Sequence, residues 1–427
     1  MPDPWSAEVA PFVDRCLFGD ARERLAELPA GSVHCCVTSP PFYGLRDYGT
    51  GTWDGGDPGC SHEVGRFTYA ASDKQRSNAG SASHKARGLC PHCGARRVDK
   101  QIGLESTPAE YIAQMVGVMA EVRRVLRDDG TLWLEIGDSY AGSWGNQGRK
   151  ADSITHRKMK SPAYAGCYPD RCSNTGKPPP GLKPKDLIGI PWRLALALQA
   201  DGWYLRADII WHRNNPMPES VTDRPTKAHS YVFLLTKRAR YFYDADAVRE
   251  GDNGIAGRNA RSVWTINTRP FAGAHFAVMP EELPRRCILA GTSEAGVCRD
   301  CGAPWARVVE VDASLRVSDR RAAYRDHQGR KDGFTGAPPA NEIGTRRSLG
   351  WQPACDHDAP TEPALVLDPF FGSGTTGKVA HDLGRSYVGV ELNPDYAEVQ
   401  RLRFGGRGYA QRKALEDAGQ LGLFADA

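Results

Sequence analysis

A chain of 427 residues with 40% hydrophobic content and a net charge of only +4 is long enough to bury a sizeable core. It has no apolar run of membrane-spanning length, and its first residues, MPDPWSAEVAPF, carry no signal-peptide pattern. The expected setting is soluble and cytoplasmic, without a membrane partner; twelve cysteines there argue for reduced thiols or metal rather than disulfides.

Arg15 to Phe18 predicts a strand ending in Gly19-Asp20, and Ala21 to Leu28 a helix stopped by Pro29 and Gly31. Val33-His34-Cys35-Cys36-Val37 is a short apolar run and predicts a buried strand. It leads straight into Thr38-Ser39-Pro40-Pro41-Phe42. The two prolines fix their own φ, remove two donors and hold the residue before each extended. The product is a stiff turn with free carbonyls, one hydroxyl and an aromatic ring. Such a set suits a planar base with an exocyclic amino group, although Pro-Pro-aromatic turns also occur as plain structure. Residues 44–56 are glycine-rich and predict a loop over this turn, where Arg46 and Asp47 either position a nucleotide or pair with each other.

Residues 57–100 read as an insertion. Cys60-Ser61-His62 and Cys90-Pro91-His92-Cys93-Gly94 bracket a polar stretch, and Cys-x-x-Cys-Gly is the geometry of a zinc knuckle. Cys60, His62, Cys90 and Cys93 complete a four-ligand set, with His84 or His92 as replacements for His62. Cys298, Cys301, Cys355 and His357 form a mirrored set downstream. Reduced structural thiols, or ligands shared between the sets, are the alternatives. Four protein ligands leave no open position, so either metal would be structural.

Pro108 to Leu126 has helical periodicity, closed by Asp128-Asp129-Gly130, and Thr131 to Ile136 predicts the next strand. Segment 141–185 breaks the pattern with nine Lys/Arg against two Asp; it suits a polyanionic partner or a solvated linker. Asp186 to Ala200 reads as a helix in which Pro191 marks a later start. Trp203 to Trp211 and Tyr231 to Leu235 are strands around the polar loop 212–219, and the basic Lys237 to Arg240 is a candidate phosphate contact. Residues 297–360 are a second insertion, arginine-rich from Arg316 to Arg347. Leu365 to Asp368 then predicts a strand, followed by the glycine-rich turn from Pro369 to Gly377 and a helix start. Ser386 to Val390 is the last strand and ends in Glu391, an acid about 20 positions after the glycine turn, where ribose hydroxyls are bound. Pro394 to Arg403 predicts a final helix.

The segments TSPPF, LDPFFGSGTTG and GVELNPDY, in this order, resemble the β-type, circularly permuted DNA amino-methyltransferases that use S-adenosylmethionine. The resemblance covers roughly residues 12–52, 102–140, 186–290 and 363–403. It implies an α/β fold: a doubly wound, seven-stranded Rossmann-like methyltransferase sheet, circularly permuted, with two cysteine-rich insertions. The strands would lie near 16, 35, 133, 207, 233, 366 and 388. The implied division is 1–56 with 101–140 for the catalytic-turn part, 57–100 and 297–360 for the insertions, 141–185 for a basic flexible segment, 186–296 for the remaining sheet and target-recognition region, 361–405 for the cofactor-binding part and 406–427 for a tail.

By the same resemblance Ser39, Pro40, Pro41 and Phe42 carry catalysis. Asp20, Thr38, Phe276, Asp368, Pro369, Phe370, Gly372, Gly374, Thr375, Glu391 and Asn393 form the cofactor site, with Met279 beside Phe276, and Asn214 and Asn215 are candidates to grip a flipped base. Double-stranded DNA is the implied partner, with a cognate restriction nuclease as a further one. Serine at the first turn position resembles the cytosine-N4 enzymes, Asp or Asn the adenine-N6 enzymes, so cytosine-N4 is expected and adenine-N6 is the alternative. Phe42 departs from the commoner Tyr, keeping a stacking face and losing a hydroxyl. Two rival readings differ in class. Gly372 to Lys378 satisfies G-x-x-x-x-G-K of a P-loop nucleotidase, but Val379 follows where Mg²⁺ needs Ser or Thr. A non-catalytic zinc DNA-binding protein would leave the Ser39 turn and the glycine loop unexplained.

Overall fold

The computed structural model describes residues 5–44, 48, 50–66, 83–85, 89–141, 178, 180–219, 221–250, 258–268, 278–312 and 345–404. Arg46, Asp47, Phe276, most of the basic segment (142–177), most of the arginine-rich stretch (313–344) and the tail from 405 lie outside them. In chain order, β1 (Arg15–Phe18) leads to α1 (Ala21–Ala26), whose first amides are capped by Asp20. The apolar run becomes β2 (Val33–Thr38), six residues buried throughout, as a central parallel strand requires. Strand β3 (Thr52–Asp54) lies in the stretch 44–56 expected to be a loop, and the first insertion carries β4 (Glu63–Arg66), β5 (Ser83–Lys85) and β6 (Arg96–Val98).

Helix α2 (Pro108–Val125) starts in a capping box between Thr107 and Glu110 with a proline in its first turn, and buries the face carrying Tyr111, Met115, Val118 and Val122. The chain turns extended at Leu126, so β7 (Leu126–Ile136) begins five residues before the predicted strand. Asp128-Asp129-Gly130 does not separate helix from strand. It lies in an irregular stretch of β7, where the pairing with β2 jumps from Val33↔Leu126 to Cys35↔Thr131. Helix α3 (Ile190–Ala200) starts at Ile190, with Pro191 in its first turn, as that proline indicated. Then follow β8 (Tyr204–His212), β9 (His229–Thr236), the short β10 (Val263–Thr265) and α4 (Glu282–Gly291). The second insertion carries β11 (Val297–Cys298), β12 (Ala306–Asp312) and β13 (Thr345–Gln352), and β14 (Thr361–Glu362) follows it directly. Strand β15 (Leu365–Asp368), α5 (Thr375–Asp382), β16 (Ser386–Glu391) and α6 (Tyr396–Arg403) complete the chain.

The main sheet has the order β1-β16-β15-β2-β7-β9-β8-β10. It is parallel from β1 to β7, β9 is antiparallel to both neighbours, and β10 lies parallel to β8. All seven predicted strands are present and β10 is an eighth. One core packs α1, α2 and α3 on one face through Leu25, Met115, Met119 and Leu194; the other packs α4 and α5 through Leu283, Ile288, Val379 and Ala380. This is a doubly wound α/β sandwich. Its centre joins the two ends of the sequence: β15, late in the chain, pairs with β2, early in it. From β15 the chain moves to β16 on one side, and from β2 to β7 on the other. The carboxyl ends of β15 and β2 therefore frame a topological switch point, where a crevice opens. The order of the halves is that of a circular permutation. Among the described residues no helix is long and apolar enough to cross a membrane.

Candidate active site and cysteine clusters

The two strand ends at the switch point are tied together. Thr38 Oγ1 donates to Asp368 Oδ1 at 2.6 Å, and the Phe370 amide donates to the same oxygen at 3.1 Å. Asp368 is buried, and burial pushes its carboxyl up to about 6 against these two hydrogen bonds. Just beyond, Ser39 Oγ donates to Glu135 Oε2 at 2.5 Å. Glu135 stands near the carboxyl end of β7 and is 3% exposed. Burial raises its pKa above the ordinary carboxylate range; the Ser39 hydrogen bond and the Arg213 charge offset only part of this. The Ser39 proton is thus committed to Glu135, and the hydroxyl oxygen is left with lone pairs to offer. The turn is held from behind, since Tyr111 OH donates to the Pro41 carbonyl at 2.9 Å. The Phe42 ring lies where a Cβ on Gly137 would stand only 2.6 Å from Cε2.

A cavity of about 290 Å³ runs from this turn to Glu391. Ser39, Pro40, Pro41, Phe42, Asp368, Pro369, Phe370, Gly372, Thr375 and Glu391 all line it, as does Met279. Glu391 closes the far end, accepting from the Gly372 amide at 2.7 Å and the Asn393 amide at 2.9 Å. Gly374 precedes α5 with φ 78°, a conformation that lets the chain turn into that helix. Gly377 and Gly389 instead make room for a ring: Cβ atoms on them would stand 2.5 and 2.3 Å from Phe371. Phe371 stacks in turn on Tyr387. Acidic groups at both ends with apolar faces between them fit an adenosine carrying a charged amino-acid chain.

Some sequence candidates stand elsewhere. Thr38 is buried beneath Asp368 and acts on the cavity through it. Asp20 caps α1 and is held below the ordinary range: burial opposes this, but the hydrogen bonds and charge of Arg22 prevail. It does not line the cavity. Asn393 side-chain Nδ2 donates to the Tyr48 carbonyl. The Asn214 amide donates to Asn267, and Asn215 Nδ2 donates to Thr268, so both residues brace neighbouring loops. Lys237 and Arg238 pair with Asp128 at the opposite end of the sheet from the Ser39 turn. Lys378 bonds Asp382 and Glu281, away from the cavity, which removes the ammonium a P-loop needs. Glu135 was not singled out from the sequence, although one acid in the apolar stretch Thr131 to Ile136 is a visible anomaly. Tyr48, Thr50, Lys100 and Gln101, which wall the cavity, carry no local signal.

Both cysteine sets assemble as expected. The ligand atoms of Cys60, His62, Cys90 and Cys93 all lie within 4.8 Å of one another, as do those of Cys298, Cys301, Cys355 and His357. Cys60 and Cys90 sulfurs are 3.8 Å apart, and Cys93 Sγ is 3.5 Å from His62 Nδ1. A tetrahedron with Zn–S and Zn–N bonds of about 2.3 and about 2.0 Å has edges of about 3.8 and about 3.5 Å. The two knuckles share one backbone pattern. In the first, the Cys90 amide donates to Ala95 and Gly94 to Cys90; in the second, Cys298 donates to Ala303 and Gly302 to Cys298. Gly94 and Gly302 have φ of 74° and 67°, as this turn requires.

The sheet order, the switch-point cavity and the acids at its two ends define a Rossmann-like methyltransferase. A profile of the DNA methylase family of N6 and N4 amino-methyltransferases matches residues 33–301 and 360–401. The chain is 39% identical over 389 residues to Type II methyltransferase M.Cfr9I of Citrobacter freundii, covering 91% of this chain and 86% of that one. It is 36% identical over 391 residues to Type II methyltransferase M.SmaI of Serratia marcescens, covering 91% and 90%. The solved PvuII DNA methyltransferase (cytosine-N4-specific) overlays with a TM-score of 0.47 at 15% identity, over 94% of this chain and 89% of that one. The chain belongs to the N6/N4 DNA methylase family: it is an S-adenosylmethionine-dependent, site-specific DNA methyltransferase.

Proposed function

We propose that the methylated atom is the exocyclic N4 of a cytosine flipped out of duplex DNA, and that Ser39 and Glu135 together manage its proton. The observation that carries this reading is the hydrogen bond from Ser39, which lines the cavity, to the buried Glu135. Serine at the first turn position resembles the cytosine-N4 enzymes; Asp or Asn there is more often that of the adenine-N6 enzymes. An exocyclic amino nitrogen is a poor nucleophile because its lone pair is delocalised into the ring. Ser39 Oγ and the Pro40 carbonyl accept the amino protons and draw that lone pair back onto nitrogen, while Phe42 stacks on the base. Bound S-adenosylmethionine supplies a sulfonium methyl group. As the amino N–H bond breaks, its proton passes to Ser39 Oγ and the serine proton passes to Glu135, whose raised pKa suits it to take it. Asp368, Phe370, Met279 and Glu391 hold the methyl donor, and positioning supplies much of the rate.

Glu135→Gln removes the acceptor and keeps the shape. Its kcat falls by about 10²-fold or more while its calorimetric affinity for S-adenosylmethionine stays at the wild-type value. Unchanged kcat would remove Glu135 from the mechanism.

Each cysteine cluster holds one structural zinc ion, supported by the knuckle pattern and the ligand spacings. Metal analysis of protein purified without chelator then finds two zinc ions per chain, and finding none would defeat both sites. The family resemblance supports a cognate restriction nuclease as functional partner. Reduced thiolate ligands and a duplex DNA substrate both suit the cytoplasm.

A further inference from the structure

The two cysteine clusters sit at opposite ends of the sheet. The second lies at the amino ends of the central strands. His34 Nε2 bonds the Gly302 carbonyl at 3.2 Å, His34 Nδ1 accepts from the Leu365 amide at 3.1 Å, and Arg127 donates to the Cys301 carbonyl at 2.7 Å. The first cluster lies at one end of a short ribbon whose other end reaches the cavity. Its ligands are joined to the cavity wall by the ribbon of β3 and β6, paired Thr52↔Val98, Trp53↔Arg97 and Asp54↔Arg96. Trp53 stacks on His62, with ring centroids 4.4 Å apart and planes at 15°. At the other end of the ribbon Asp99 gathers the wall: it accepts from Thr50 Oγ1 at 2.8 Å, Arg97 Nη2 at 2.7 Å and the Gln101 amide at 3.0 Å. Gln101 Oε1 then accepts from the Tyr48 amide at 2.7 Å. Tyr48, Thr50, Lys100 and Gln101 line the cavity directly.

Among the described residues the cluster holds one end of this ribbon and the Asp99 network the other. In both strands the two outer residues are exposed and only the middle one is partly buried. A two-stranded ribbon without a buried apolar face is marginal in water, and small units of this kind need a staple. We propose that the ion in the first cluster is that staple: by ordering the ribbon it builds the outer wall of the methyl-donor cavity, so its occupancy sets cofactor affinity, whereas the ion in the second cluster holds the opposite end of the sheet and leaves cofactor affinity alone. The inference rests on the reading that both clusters bind zinc.

The test uses the full chain, with zinc content, S-adenosylmethionine affinity by calorimetry and thermal melting measured on the same samples. Cys93→Ser should lose one of two zinc ions and keep the main melting transition. If the unstapled wall is in place about one-tenth of the time, its apparent Kd rises about tenfold. Cys93→His, which can still ligate zinc, should restore both the ion and the affinity. Cys355→Ser should also lose one ion and melt earlier, with affinity within about twofold of wild type, as expected for a distant site. Asp99→Ala should keep both ions and weaken affinity, because it cuts the link rather than the staple. Wild-type affinity in Cys93→Ser with one ion lost would overturn the inference and leave the zinc reading standing. An equal loss of affinity in Cys355→Ser would also overturn it, as a general loss of stability. Absence of zinc from the wild type would remove the reading on which it rests.

Discussion

Asp368 is where residue chemistry and stability meet. Its carboxyl is pushed up to about 6 in the folded chain by burial, against an ordinary value of 3.8. The folded state therefore prefers the protonated form; that preference stabilises fully below about pH 4 and is lost as pH rises through about 6. Asn at this position keeps an acceptor for Thr38 and does not titrate. The stability of Asp368→Asn relative to wild type should rise between pH 4 and pH 7 by up to about 3 kcal/mol, read by thermal melting, while cofactor affinity falls. A difference independent of pH would show that the carboxyl is not raised. The Ser39 turn was legible in the sequence because its stiffness is local, written in two adjacent prolines. The partner that gives the serine its acceptor character lies 96 residues away, and only the oddity of an acid in an apolar strand hinted at it.

At the scale of elements, strongly periodic segments read true and irregular joints did not. Helix α2 carries its own start signal in Thr107, Pro108 and Glu110, so its beginning was legible. The junction into β7 was not, because Asp128-Asp129-Gly130 looks like a stop and is tolerated inside the strand only by a bulged pairing with β2. Three-residue β10 is too short to show a period. Of the glycine-rich turn after β15, Gly372 lines the cavity as the resemblance implied, whereas Gly377, like Gly389 in β16, chiefly gives room to Phe371. Gly137 does the same for Phe42. Gly137→Ala would place a Cβ 2.6 Å from the Phe42 ring and force it to move. Because small misplacements at a reacting group are costly, kcat/KM for DNA should fall by about 10- to 100-fold with cofactor affinity unchanged. Wild-type turnover would show that the ring does not hold the base.

For the whole molecule, the order of the motifs disclosed the permutation, since the turn precedes the glycine loop in the chain and β2 lies beside β15 in the sheet. The ligand sets were legible because knuckle spacing is local, while the link of one cluster to the cavity wall through the β3–β6 ribbon and of the other to the amino ends of the central strands depends on tertiary contacts no spacing encodes. Residue, element and whole molecule meet in the proposal that a turn beginning with serine, set at the switch point of a permuted methyltransferase, selects the N4 of cytosine. Its most direct test is mass spectrometry of nucleosides from duplex DNA of varied sequence, incubated with the chain and S-adenosylmethionine. N4-methylcytosine is the predicted product, absent from a Ser39→Ala control; N6-methyladenine would contradict the claim.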